Sequence, residues 1–302
     1  MNKNQQQSFT SRLLEVVLRA SGVKDESLFS KYLTMLGNAM PARPLPHMFS
    51  KYHISSDKRL KHAVWVIRPK TDPDVKHIIY LHGGSYMNNF LAPHWMFMDS
   101  IVDNTHAAVI APDYPLAPEY HAKYVFKMLL KLYTDLIKRI GAENVTIMGD
   151  SAGGGMTLAL AQLLSEKKIE QPEQLILLSP CVDVTLTNPA IRKLDDDDPI
   201  LNIPAILEAG KSYAGTLGTK HYLVSPIYGK LTGLAPISLY VGTHDIMAAD
   251  CRKLHKMAKK LKIPFDYNEY EGMVHVGMLY PTPEGGDVRD DIMDDIESEL
   301  TP

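Results

Sequence analysis

The chain reads as one α/β domain: a mostly parallel central sheet flanked by helices, with a small helical cap over one edge. Three observations lead there. From His62 onward, short apolar or β-branched runs alternate with longer amphipathic stretches, which is the pattern of βαβ crossovers. Two blocks break that alternation and need a separate account. The length, 302 residues, suits one α/β domain with an accessory element better than two independent units.

The strand-like runs are His62–Ile67, His77–Leu81, Ala107–Ala111, Val145–Met148, Leu175–Leu178, Ile237–Val241 and Phe265–Tyr270. Helical spacing marks Glu119–Arg139, Ala152–Glu166, Ala248–Leu261 and Val288–Leu300. Right-handed crossovers between such strands impose parallel pairing, while the direction of the earliest strands stays open. The first irregular block is residues 1–45, where Ser11–Ala20 and Glu26–Met35 carry apolar residues at helical spacing before Pro41, Pro44 and Pro46 end the pattern. The second is Val182–Ala235, with a helical pattern near Ile203–Tyr213. An excursion that long inside a compact domain carries structure of its own or covers a site, so both blocks are expected to build the cap. Inside it, Asp195–Asp198 reads as a solvated loop because like charges repel, with a calcium site as the weaker alternative.

Composition removes several classes of function. Apolar residues make up 45% of the chain and charged residues 22%, the balance of an ordinary globular protein. The formal net charge of -3 offers no basic field for neutralising phosphates, so no nucleic-acid partner is expected. Residues 1–10 are polar and no apolar run of about 18 residues occurs, so the expectation is a cytoplasmic protein with no membrane partner. Cys181 and Cys251 suggest buried, reduced thiols; no disulfide framework, metal or cofactor is implied.

The strongest chemical signal is Gly149-Asp150-Ser151-Ala152-Gly153, preceded by a strand and followed by a helix. In that context a G-x-S-x-G run makes a sharp turn that thrusts the serine outward, and side chains two residues before and after it would collide. The helix start also brings N–H groups and a positive dipole end to a developing oxyanion. A second glycine run, His82-Gly83-Gly84-Ser85-Tyr86, follows the strand His77–Leu81, where the other half of an oxyanion hole belongs. Gly83, Gly84 and Ala152 are the expected N–H donors, and His82 is expected to prop the loop.

A serine needs a base, and the base a carboxylate, in the chain order Ser, acid, His. Asp245 follows the strand Ile237–Val241 and His275 follows Phe265–Tyr270, so both stand at strand ends where such groups converge. His244 precedes the acid and reads as a loop residue. His221 and His255 fall in or beside helical segments, and Asp250 lies inside the following helix as a dipole-favoured carboxylate. Ser85, Tyr86, Met87 and Asp150 are the expected substrate contacts.

His82-Gly83-Gly84, Asp113-Tyr114-Pro115-Leu116-Ala117-Pro118-Glu119 and Gly149–Gly154, in this order, resemble the hormone-sensitive-lipase-like esterases and lipases. The resemblance runs from about His77 to His275. It implies an α/β-hydrolase fold, a helical cap built from the N-terminus and the 182–235 insertion, and a triad of Ser151, Asp245 and His275. Two positions depart from the family pattern: Ser85 replaces the third glycine of the usual loop and could narrow an acyl pocket, and Pro115 stands where arginine is common. The expected activity is a carboxylesterase of the EC 3.1.1 type acting on a small-molecule, short-acyl ester. An amide-directed serine hydrolase, arylformamidase or aminopeptidase-like, would use the same triad. A non-catalytic binding module on this fold would be expected to lack the base. A lipase is disfavoured because no exposed amphipathic anchor is evident, and a homodimer is allowed.

Overall fold

The computed structural model describes residues 2–3, 7–25, 43–59, 62–71 and 76–298. Among them, nine strands form one sheet: β1 Asn2–Lys3, β2 His53–Arg59, β3 His62–Arg68, β4 His77–Leu81, β5 Ala108–Pro112, β6 Val145–Asp150, β7 Gln174–Leu178, β8 Ile237–His244 and β9 Phe265–Val274. The spatial order is β1-β9-β8-β7-β6-β4-β5-β3-β2. All neighbours from β5 to β1 pair parallel. The early strands settle as antiparallel, β2 on β3 and β3 on β5.

Strands β4 to β7 are buried along their whole length, which is why they read as unbroken apolar runs. Their side chains alternate between two cores. Ile78, Tyr80, Ile176 and Leu178 face the helices Ala92–Thr105 (α3) and Pro283–Glu297 (α9), through Trp95, Met98, Ile101, Val288 and Ile292. Ile79, Leu81, Leu175 and Leu177 face Ala122–Ile140 (α4), Ala152–Glu166 (α5) and Ala248–Leu261 (α8), through Phe126, Leu129, Leu158 and Leu254. The helices α1 Phe9–Ser21, α2 Met48–Lys51, α6 Ile191–Leu194 and α7 Ile203–Ala214 complete the set among the described residues.

The spacing did not mark β2 or α3. Strand β2 is an edge strand with mostly exposed polar side chains, so it carries no apolar alternation. Helix α3 opens on Pro93 and His94 and is interrupted by Asp99, Ser100, Asp103 and Asn104. The expected helix Glu26–Met35 lies outside the described residues.

The two irregular blocks meet. Arg19 donates to the carbonyls of Asp196 and Asp197 at 2.9 and 2.7 Å, Lys24 donates to that of Asp198 at 2.8 Å, and the Asn202 amide donates to Lys24 O at 2.8 Å. Here two expectations fail. Asp198 is no solvated residue but a fully buried one, drawn in by three backbone amides. And an exposed amphipathic face does exist: Phe9, Leu13, Val16 and Val17 of α1 are 81%, 50%, 61% and 55% exposed, while the helix meets the core through Leu18 and the partly buried Leu14.

Trp95 anchors the α3 face of the sheet, fully buried with its ring 4.5 Å from that of Phe90. Replacing it with alanine removes the largest side chain of that layer and leaves a cavity. Trp95→Ala is expected to cost about 3–5 kcal/mol, read as a lower urea midpoint at unchanged slope.

Candidate active site

The site begins with a backbone constraint. Strand β6 ends at Asp150 and α5 starts at Ala152, so Ser151 alone makes the turn, at φ 52° and ψ -117°. A non-glycine residue there costs on the order of 1–3 kcal/mol, and its surroundings must hold it. Ser151 N–H donates to Leu178 O at 2.8 Å, while Ser151 O accepts from Cys181 and Gly155 at 2.9 and 3.1 Å. The flanking glycines are steric necessities: a Cβ on Gly153 would lie 1.9 Å from Leu81 O, and one on Gly149 2.5 Å from the Gly153 carbonyl carbon.

The sheet then brings the expected base and acid to that turn. His275 leaves the end of β9 and Asp245 the end of β8, both buried. Ser151 Oγ lies 2.9 Å from His275 Nε2, and His275 Nδ1 lies 2.9 Å from Asp245 Oδ2. An ionised carboxylate can only accept, so Nδ1 carries the proton and Nε2 is free to accept from the serine. Asp245 Oδ1 accepts from Met247 N–H at 2.8 Å. Burial alone would lower the His275 pKa; the charge and hydrogen bond of Asp245, with Asp198 and Asp150 behind, outweigh it and raise it above the ordinary value. Two contributors escaped the sequence reading. Ser179 is fully buried and its Oγ accepts from Val276 N–H at 3.1 Å, fixing the backbone next to His275. Asp198 is the other; its one sequence signal was its place before Pro199 and the apolar pair Ile200–Leu201.

The glycine loop after β4 sits at the switch point of the sheet, where the chain leaves β4 toward β5 on one side and leaves β6 toward β7 on the other. His82 props this loop, as expected. Its Nδ1 lies 2.7 Å from Gly83 O, its ring stacks on Tyr114 at 4.2 Å, and Tyr114 OH donates to His82 O at 2.6 Å. Burial, with His94 nearby, lowers its pKa to about 3, so the prop is uncharged. The Asp113–Glu119 stretch buttresses the same loop through Tyr114 and through Ala117 N–H, which donates to Tyr86 O at 2.9 Å.

Three expected contacts are corrected. Gly83 N–H donates to Asp150 Oδ1 at 2.9 Å, so it cannot also serve an oxyanion. Asp150 is buried beneath the loop, accepting from Tyr80 OH at 2.7 Å with His94 Nε2 at 3.4 Å, and does not reach a substrate. Burial would raise its pKa, but His94 and Tyr80 hold the carboxyl below the ordinary range. Met87 is 41% exposed and does not border the cavity beside Ser151. The rival groups lie elsewhere: His244 pairs with Glu15 at 3.2 Å, Asp250 accepts from Asn188 at 2.8 Å, and His255 packs on Phe265 and Tyr267.

Beside Ser151 lies a cavity of about 260 Å³ counted with its open mouth, bordered by Ser85, Tyr86 and Ala152 and closed by Cys181, Leu201, Ile206, Ala209 and Met247. Leu201, Ile206 and Ala209 belong to the 182–235 excursion. Tyr86 is held by stacking on Tyr213 at 4.0 Å. Apolar side chains make up most of the lining, as in ordinary ligand pockets.

Comparison with known proteins agrees with this architecture. The sequence profile of the α/β-hydrolase-fold family matches residues 78–279. An esterase of Acinetobacter venetianus is 31% identical over 65% of this chain and 65% of its own length, so the matched stretch spans just under two thirds of that relative. An acetyl-hydrolase of Streptomyces hygroscopicus is 30% identical over 74% of this chain and 75% of its own. The crystal structure of an esterase from the bacterial hormone-sensitive lipase family superposes with a TM-score of 0.85 over 98% of this chain and 100% of that one; at 23% identity this likeness speaks for the fold. With that profile matching most of the chain and three sequence motifs in register on the fold, the chain belongs to the α/β-hydrolase-fold family.

Proposed function

We propose that the protein is a serine carboxylesterase that hydrolyses small, short-acyl esters through an acyl-enzyme on Ser151. The observation that carries this reading is the unbroken chain of hydrogen bonds from Ser151 through His275 to Asp245, at 2.9 Å each, opening on a small apolar cavity. In this reading His275 Nε2 takes the serine proton as Oγ attacks the ester carbonyl, and Asp245 holds the imidazolium. The leaving alkoxide takes that proton, and water repeats the sequence to release the acid.

The oxyanion would be met by N–H groups of Ala152, Gly84 and Ser85. Ala152 opens α5, where backbone donors have no partner within the helix. Ser85 borders the same cavity as Ser151 and takes the place that Gly83 gives up to Asp150. Residues 1–45 and 182–235 act in this reading as the cap, whose Leu201, Ile206 and Ala209 limit the acyl group. The names of the relatives, an esterase and an acetyl-hydrolase, point the same way.

Ser151→Ala is expected to lower ester turnover by roughly 10⁴- to 10⁶-fold with the thermal transition preserved. A purified mutant keeping a tenth of wild-type activity would remove the nucleophile from Ser151. Because His275 must be neutral to act and its neighbours raise its pKa, activity should fall on the acid side along a one-proton limb centred above the ordinary histidine value of 6.5. A limb centred below that value, or unchanged in His275→Gln, contradicts the assignment. Across p-nitrophenyl esters, acetyl to butyryl should be cleaved well ahead of decanoyl, since the cavity closes on Leu201, Ile206 and Ala209. A preference for decanoyl overturns the short-acyl reading, and faster turnover of matched anilides moves the protein to the amide hydrolases.

A further inference from the structure

The 182–235 excursion delivers one carboxylate to the back of the Ser151–His275–Asp245 chain. Asp198 is fully buried and bonded only to backbone amides: Oδ1 accepts from Ile200 and Leu201 at 2.8 and 2.9 Å, and Oδ2 accepts from Ile246 at 2.9 Å. A local turn accounts for the first two bonds. It does not account for the third, which crosses 48 residues to the turn that presents Asp245. The next amide on that turn, Met247, donates to Asp245 itself at 2.8 Å. Two carboxylates therefore grip consecutive amides of one turn.

Such an arrangement opposes folding. Burial first, and the Asp245 charge next, push the Asp198 carboxyl up to about 6, with His275 pulling the other way. A carboxyl with a raised folded-state pKa binds more protons folded than unfolded, so ionising it above that pH weakens the fold. The ionised form is thus the less favoured one for folding, so the charge needs a reason beyond the turn.

We propose that Asp198 is a positioning residue of the hydrolytic site, fixing the Asp245 turn and adding a second negative charge behind the His275 imidazolium. This rests on the reading of Ser151 as nucleophile. His275 faces Asp245, Asp198 and Asp150; Asp198 faces Asp245 and His275. On the outer side Lys24 holds the Asp198 carbonyl at 2.8 Å while pairing with Asp195, and His244 pairs with Glu15. As the proton moves from Ser151 Oγ to His275 Nε2, both carboxylates stabilise the cation, and neither takes a proton in the step.

The test is Asp198→Asn, read in the soluble protein as kcat, KM and pH profile. Removing the charge makes His275 lose its proton more easily. The acid limb should therefore move to lower pH by about half a unit or more, with kcat down roughly tenfold and KM within about twofold. A residue that only supports the fold would lower the melting temperature and leave the limb of the folded protein in place. Because the Asn amide would face Ile246 N–H, Asp198→Ser serves as the second variant, with the same expectation. If neither melts cooperatively, carboxyl NMR of the wild-type protein decides: two aspartates, Asp113 and Asp198, should titrate near pH 6, with Asp198 alone also sensing the titration of the His275 imidazole, and an Asp198 confined to the ordinary range overturns the proposal. An inactive Ser151→Ala beside an Asp198→Asn with wild-type kcat and limb sinks Asp198 alone; an active Ser151→Ala sinks both readings.

Discussion

The site depends on one backbone turn. At Ser151 the chain passes from β6 to α5 in a single residue with φ of 52°, a conformation that a serine adopts only under constraint. The constraint is supplied by neighbours on both sides of β6: Leu178 and Cys181 from the β7 side through hydrogen bonds, and Leu81 from β4 through contact. Because α5 runs so close to β4, the loop that follows β4 is delivered to the same place. The pocket, the serine and the backbone amides beside it are consequences of that approach.

The remaining parts arrive by sheet order. Strands β8 and β9 lie on the far side of β7 from β6, and the groups at their ends still reach Ser151 because parallel pairing puts all carboxyl ends on one edge. Fine positioning is then done by buried polar groups on the backbone between strands: Ser179 on Val276, Asp245 on Met247, Asp198 on Ile246. A few well-placed amide bonds fix a geometry that long side chains alone could not hold.

What could be read in advance followed the range of the physics involved. Strands β4 to β8 and the serine turn were legible, since burial on both faces and a local steric demand for glycine both leave marks at short spacing. Strand β2 was not, because an edge strand keeps polar side chains. Asp195 to Asp198 look alike in sequence, and only the tertiary neighbourhood separates the buried fourth from the others. Gly83 was misread for a related reason. A bare glycine amide near an expected oxyanion invites the role of donor, and nothing local reveals that a carboxylate 67 residues away already occupies it. The apolar stripe of α1 was visible as periodicity, but its exposure was not, since amphipathicity says which residues share a face and not what that face meets.

The bond between Asp150 and Gly83 joins the two sequence motifs of the site into one heritable unit. The residue before the serine is formally a free position in G-x-S-x-G, yet here its length and charge set where the glycine loop stands, since a Cβ at Gly83 would meet Asp150 Oδ2 at 2.3 Å. A substitution at either position therefore disturbs the other. In building chimaeras between related hydrolases, the loop after β4 and the turn after β6 are to be exchanged together, because a serine turn moved alone leaves behind the loop that its own second residue was shaped to carry.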